Sequence, residues 1–131
     1  MKLVYLYSES KRALKVPANK GIERVPYLLR RLVEKGIIVE WINVDELSED
    51  EVEKYYLDAI KAAVYRKYRI RRIFGTKRHS GVFFGRGVPA LLVYEGDEVV
   101  DVYPHENIFR IKTIFNFLND ILKVKDYEDM A

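Results

Sequence analysis

Residues 85–103 read Gly-Arg-Gly-Val-Pro-Ala-Leu-Leu-Val-Tyr-Glu-Gly-Asp-Glu-Val-Val-Asp-Val-Tyr, and they decide the fold. Pro89 cannot donate to a strand ladder, but it is tolerated at the first position of a strand. The apolar run 90–94 that follows is too short for a helix and predicts a strand buried on both faces. A Glu-Gly-Asp turn leads into a second strand, residues 99–103, whose Asp101 is expected to face water. The stretch therefore predicts a β-hairpin.

The bend before this hairpin carries a family resemblance. Gly85 and Gly87 allow the backbone to turn sharply, and we expect the Val88–Pro89 peptide bond in that turn to be cis. Residues 86–94, with the glycine turn after them, resemble the cis-proline strand and hairpin of the thioredoxin family. In that family the peptide bond before this proline is cis and faces the active-site cysteines. The resemblance implies a thioredoxin-like fold.

A second stretch strengthens the resemblance. Pro26, the apolar helical face after it and the run 39–45 are similar to the thioredoxin helix with its kink proline and to the strand that follows. On that alignment the Cys-x-x-Cys pair falls on residues 18–21, Ala-Asn-Lys-Gly, so Ala18 and Gly21 stand where the cysteines would be. Neither residue carries a thiol, so disulfide exchange, the main activity of the family, is not expected.

The rest of the chain has the order of elements that this fold needs. We predict an α/β fold of thioredoxin-like order β-α-β-α-β-β-α, with a four-stranded mixed sheet, helices on both faces and an extended helical insertion between strands two and three. Besides the hairpin, apolar periodicity and helix caps predict strands at 2–7 and 37–44 and helices at 22–35, from 49 onward and at 107–123.

Composition sets the domain organisation and excludes several classes of function. A chain of 131 residues, 49% of them hydrophobic, fits one domain with a core, residues 1–124 with the insertion at about 46–84, followed by an acidic flexible tail, residues 125–131. The absence of cysteine excludes disulfides, thiolate metal sites and cysteine nucleophiles. Abundant charged residues and the lack of glutamine predict a thermophile's cytoplasmic protein, and no apolar run has the length of a membrane span.

The groove beside the hairpin proline is the first candidate site. In the thioredoxin family the backbone before the cis-proline pairs with an extended substrate peptide, which is strand addition through main-chain hydrogen bonds. The alternative is that the proline only shapes the fold and the groove binds nothing. The predicted peptide-binding residues are Gly87, Val88, Pro89, Ala18 and Gly21.

A basic stretch between residues 66 and 86 is the second candidate site. Aromatic residues are interleaved with its bases and no acid lies among them, a composition that suits phosphate binding and base stacking. The alternative is a solvated surface without a ligand. The predicted anion-binding residues are Arg66, Lys67, Arg69, Arg71, Arg72, Lys77, Arg78 and Arg86.

Other chemistry finds little support in the sequence. His79 and His105 are the only histidines, and no metal-ligand spacing joins them, so we predict no metal, cofactor or catalytic residue. We predict a non-redox, thioredoxin-like binding module for a protein or extended peptide. Binding of nucleic acid or another anion is the alternative, and an enzyme of non-thiol mechanism is a third class. No membrane partner is predicted, and the sequence leaves the oligomeric state open.

Overall fold

The centre of the molecule is a four-stranded mixed sheet of β1 (Lys2–Tyr7), β2 (Ile38–Asn43), β3 (Ala90–Glu95) and β4 (Glu98–Tyr103). The computed structural model describes residues 1–74, 87–108 and 110–130. The strand order is β2-β1-β3-β4, in which β1 runs parallel to β2 and antiparallel to β3. β3 and β4 form the antiparallel hairpin. The predicted α/β class and mixed sheet are therefore confirmed.

Helices cover both faces of this sheet, and in the described part of the chain they are α1 (Val25–Glu34), α2 (Glu49–Arg66), α3 (Arg71–Phe74) and α4 (Ile114–Met130). Side chains alternate along a strand. Leu3 and Tyr5 of β1 therefore pack with α1 and α4, whereas Val4 and Leu6 pack with α2. The two buried clusters explain why the apolar runs of β1 and β3 are continuous.

Helix α2 begins where the sequence predicts its cap. The Ser48 hydroxyl accepts a hydrogen bond from the Glu51 N–H at 3.2 Å, and the Glu51 carboxylate accepts one from the Ser48 N–H at 3.1 Å. This capping box satisfies two N–H groups at the helix start. The bond from the Ser48 N–H, followed by the interaction of the Ser48 side chain with the carboxylate, lowers the pKa of Glu51. Further along, the Tyr94 hydroxyl donates to Asp58 at 2.6 Å and ties α2 to β3.

After α2 the chain is held to the domain by a main-chain pair. Arg69 and Glu106 exchange two backbone hydrogen bonds of 2.8 Å each. Glu106 belongs to a small hairpin of β5 (His105–Glu106) and β6 (Ile111–Lys112), which the sequence did not predict. Of the predicted insertion, 46–84, the described part contains α2 and α3, and residues 75–84 lie outside the described residues.

Helix α4 begins later than its predicted range of 107–123. Residues 111–112 form β6, so the helix starts only at Ile114. The Thr113 hydroxyl accepts a hydrogen bond from the Asn116 N–H at 3.1 Å, which caps the helix start.

The segment predicted as a flexible tail, 125–131, is helical as far as Met130. Lys35, at the end of α1, forms ion pairs with Asp126 at 3.1 Å and with Asp129. The acidic residues of this segment therefore lie beside a base of α1 as part of the last helical turns.

The peptide bond before Pro89 is not cis, so that prediction is wrong. Among the described residues the cis bond is Tyr103–Pro104. Gly87 has φ of 70°, a left-handed conformation that glycine adopts without steric cost. The bend before β3 is therefore made by the glycine, and the proline follows it with an ordinary trans bond.

Candidate functional site

Polar side chains fix the loop that follows β1. The Ser8 hydroxyl donates to one Asp45 carboxylate oxygen at 2.8 Å, and the Ser10 N–H donates to the other at 2.9 Å. The bond from the Ser10 N–H, followed by that from Ser8, lowers the pKa of Asp45. Asp45 is the second residue after the end of β2, so the loop is fixed at the carboxyl ends of two parallel strands. Open α/β sheets commonly bind ligands at this edge.

An aromatic hollow opens at the same edge of the sheet. The rings of Tyr5 and Tyr7 stack with centroids 5.7 Å apart, and Trp41 meets Tyr5 edge-on at 5.6 Å. Pro26 and Pro89 contribute to the wall of this hollow, whose volume is about 390 Å³, within the range of small-ligand sites. Trp41 is 40% exposed, so a ligand can reach its ring. Burial raises the pKa of Tyr5 to about 12, and its hydroxyl is neutral at physiological pH.

Another segment of the same chain already makes hydrogen bonds to the main chain beside Pro89. The N–H of Leu14 donates to the carbonyl of Gly87 at 3.0 Å. The side-chain amide of Asn19 donates to the same carbonyl at 2.9 Å and to the carbonyl of Leu14 at 2.8 Å. A Cβ atom on Gly87 would lie 2.8 Å from Leu14 Cδ1 and closer still to Cγ, so this approach requires glycine. We call residues 13–16 the strap.

Hydrogen bonds, more than burial, hold the strap in place. Leu14 is 54% exposed and Val16 is 36% exposed. Ala13 lies on the wall of the aromatic hollow, and Val16 lines a second hollow of about 360 Å³. The strap therefore runs between two hollows with much of its apolar surface in water.

Asn19 is a site residue that the sequence reasoning missed. It is only 5% exposed, and its Oδ1 atom has no hydrogen-bond partner in the part of the chain that the structure describes. Its Nδ2 atom donates to two carbonyls, which fixes the orientation of the amide. An asparagine between the positions of the two family cysteines was the available signal, because a buried amide needs several partners.

The structure brings together four of the five predicted peptide-binding residues. Ala18 and Val88 line the second hollow, Pro89 lies on the aromatic hollow, and Gly87 carries the carbonyl between strap and hairpin. All four are buried. Gly21 is not part of the site, because a Cβ there would lie 2.5 Å from the ring of Phe115 in α4.

Five bases of the predicted anion site are exposed, and Lys77, Arg78 and Arg86 lie outside the described residues. The hollow that three of these bases line has a volume of about 370 Å³ and apolar side chains in its wall. The Arg66 side chain has an internal role as well, since its Nε donates to the carbonyl of Val100 at 3.0 Å. The exposed bases are Arg66, Lys67, Arg69, Arg71 and Arg72, of which the last three line the hollow.

Asp101 is buried, which corrects the expectation that it faces water. Its carboxylate accepts a hydrogen bond from the Tyr103 hydroxyl at 2.8 Å. A bulge shifts the register of the hairpin, so Asp101 pairs with Val93, whose side chain packs beneath α1 and α4. The Asp101 carboxylate therefore lies on the sheet face that α1 and α4 cover, where burial and this carboxylate raise the pKa of Tyr103.

His105 is likewise used inside the fold. Its Nδ1 atom lies 2.6 Å from the carbonyl of Val102, and the ring of Tyr68 stacks on it with centroids 3.5 Å apart. Burial lowers the pKa of His105 and favours the neutral ring. In the described residues no group of three or more histidine, cysteine or acidic side chains could hold a metal ion, and His79 lies outside them.

Comparison with known proteins gives no match to a family model, a curated protein or a solved structure. None of the helices in the described ranges is long and apolar enough to cross a membrane. The interpretation of the site therefore depends on its own geometry.

Proposed function

We propose that this chain is a thioredoxin-like binding module without redox activity, which holds an extended peptide or protein segment at the groove beside Pro89. Two parallel strands from a βαβ unit, an antiparallel hairpin after them and helices on both faces support this fold assignment. The chain has no cysteine, so no thiolate can attack a disulfide. The composition, typical of a thermophile's intracellular protein, supports a cytoplasmic location.

The observation that carries the proposal is the hydrogen bond from the strap to Gly87. A largely exposed segment offers its main-chain N–H to a carbonyl just before β3. Strand addition uses main-chain bonds of this kind for affinity, and pockets beside the strand select side chains. The main-chain contacts of the strap therefore favour a chain segment, rather than a small metabolite, as the ligand of this groove.

The aromatic hollow supplies an apolar anchor next to this carbonyl. Tyrosine and tryptophan side chains that a partner can cover carry a large share of the binding energy in protein interfaces. Trp41 is accessible, and Tyr7 is half-buried beside it. A partner side chain that fills the hollow would cover both rings while its main chain reaches Gly87.

A labelled peptide with the sequence of the strap tests the proposal. The probe covers residues 10–18, Ser-Lys-Arg-Ala-Leu-Lys-Val-Pro-Ala, and fluorescence anisotropy measures its affinity. For the same peptide with Ala13→Leu, which places a large apolar side chain at the aromatic hollow, Trp41→Ala should weaken binding about tenfold, because truncation of an anchor typically costs more than about 1 kcal/mol. Ile38→Ala is the matched control, since Ile38 is an exposed apolar residue of the same strand that does not line the hollow.

Two results contradict the proposal. In the first, Trp41→Ala and Ile38→Ala lose affinity equally. In the second, neither the native chain nor a Leu14→Pro variant, which lacks the strap N–H, binds the probe.

Anion binding through the exposed bases is a second candidate function. The observation that favours it is the hollow that Arg69 and Arg71 line together, in a segment, residues 59–74, that contains no acid. Each neutralised phosphate adds about −0.7 to −0.9 to the slope of log affinity against log salt concentration. Replacing both arginines with serine should therefore flatten that slope by about 1.4 for an oligodeoxythymidine probe, which is single-stranded.

Lys20→Ser combined with Lys123→Ser removes the same charge from exposed positions outside this hollow and is the matched control. An unchanged slope in the arginine variant, or binding that does not depend on salt, contradicts this candidate. An enzyme of non-thiol mechanism remains a third proposal, to which no described residue is assigned as catalytic.

A further inference from the structure

We infer that the strap is an internal competitor, which occupies the groove in the free protein and is replaced there by a partner's extended segment. The inference rests on the proposed peptide-binding function and adds the regulation of that site and the class of its partner.

The strap and a bound peptide need the same acceptor. The Gly87 carbonyl already receives the Leu14 N–H at 3.0 Å and the Asn19 side-chain amide at 2.9 Å. A carbonyl oxygen has two lone pairs. An incoming main-chain N–H therefore has to displace one of the two donors. Asn19 is 5% exposed whereas Leu14 is 54% exposed, so Leu14 is the donor that leaves.

Release of the strap sacrifices few contacts. Its residues Leu14, Lys15 and Val16 are exposed, so their departure uncovers little apolar surface. Three hydrogen bonds join the strap to the described residues of the site, from Leu14 to Gly87, from the Asn19 side chain to Leu14 and from the Asn19 N–H to Val16. Ala18 and Val88 line the second hollow beside Val16 and remain as part of the groove when the strap leaves.

Asn19 provides an independent observation that favours a partner over the strap. Its Oδ1 atom is buried and has no hydrogen-bond partner among the described residues. Buried side-chain acceptors in native proteins are nearly always satisfied. A partner segment that donates an N–H to this oxygen makes a hydrogen bond that the strap does not make.

The two hollows beside the strap define the partner's side chains. Ala13 contributes only a methyl group to the wall of the aromatic hollow, and Val16 and Ala18 both line the second hollow. The partner class is therefore an extended segment that carries a large apolar residue in place of Ala13 and a second apolar residue three positions later. A probe of residues 10–18 with Ala13→Leu should bind more tightly than the strap sequence itself.

A proline variant of the strap tests the competition. Leu14→Pro removes the N–H that reaches Gly87, and anisotropy measures its affinity for the labelled peptide of residues 10–18. Loss of one neutral hydrogen bond, about 1 kcal/mol, should strengthen binding about fivefold relative to the native chain. Arg12→Pro is the matched control, because it places a proline in the same exposed loop but outside the strap, and it should bind as the native chain does.

A modified probe keeps the test independent of folding. N-methylation of Leu14 in the peptide deletes the competing donor from the ligand, and it should weaken binding to the native chain about fivefold. Unchanged affinity for this probe overturns the inference.

The outcomes separate the inference from the function on which it rests. If the native chain and Leu14→Pro bind the peptide with equal affinity while Trp41→Ala binds it more weakly, the competition is overturned. The proposed peptide binding is not contradicted by that result. Absence of binding in all three, each folded by circular dichroism, overturns peptide binding and the inference with it.

Discussion

Replacing Gly87 by alanine tests whether the strap is held against the main chain beside Pro89. An L-residue at φ of 70° costs about 1–2 kcal/mol. The new Cβ would also overlap Leu14, whose exposed side chain has to move and take its N–H away from the Gly87 carbonyl. That lost hydrogen bond adds about 1 kcal/mol, so Gly87→Ala should lower the free energy of unfolding by about 2–3 kcal/mol.

Gly96→Ala is the matched control for this variant. Gly96 has φ of 59° and no atom within 4 Å of the Cβ position, so alanine there carries only the conformational cost of about 1–2 kcal/mol. Urea denaturation followed by fluorescence of the single tryptophan, Trp41, measures both variants. In a Leu14→Ala background the difference between the two variants should shrink. If Gly87→Ala lowers the free energy of unfolding no more than Gly96→Ala does, the reasoning is refuted.

Three further predictions concern stability and use the same denaturation assay. Ser48→Ala removes the cap of α2 and should lower the free energy of unfolding by about 1 kcal/mol. An unchanged free energy of unfolding would contradict the role of the capping box. Gly21→Ala should lower the free energy of unfolding by about 1–3 kcal/mol more than Gly96→Ala does, because its Cβ meets the ring of Phe115. If this difference stays the same in a Phe115→Ala background, the contact is contradicted. Asp45 has a lowered pKa, so its contribution to stability is present above its ordinary value of 3.8 and is lost as pH falls through the folded-state pKa. Asp45→Asn should therefore flatten the acid-side fall of stability, whereas an unchanged pH dependence would contradict the loop contacts.

The fold was predictable where a residue pattern corresponds to one kind of secondary structure. The continuous apolar runs of β1 and β3 predicted strands buried on both faces, because each strand lies inside the sheet between helical layers. Ser48 followed by three acidic residues predicted the start of α2 for a local reason, the capping box.

The prediction failed where local geometry departs from a regular pattern. Asp101 was expected to face water, but its carboxylate is buried in the fold, where it accepts hydrogen bonds from the Tyr103 hydroxyl and the Val102 N–H. The strands β5 and β6 have two residues each, too few for a periodic signal, so α4 was predicted to begin between them.

Of the residues that the resemblance suggested for the site, Ala18 and Val88 line one hollow, and their role in binding stays a prediction. Leu14 and Asn19 were missed because their roles depend on contacts across the chain. Asn19 and Gly87 are 68 residues apart, and no local pattern connects them.

Hydrogen exchange at the amide of Leu14 tests the central claim most directly. Protein labelled with ¹⁵N is titrated with the unlabelled peptide of residues 10–18, and exchange is followed by NMR. The account predicts that the Leu14 amide is protected in the free protein and exchanges rapidly in the saturated complex, while the amide of Leu6 in β1 stays protected. A Leu14 amide that is unprotected in the free protein, or that keeps its protection in the saturated complex, would contradict the claim that a partner takes the place of the strap.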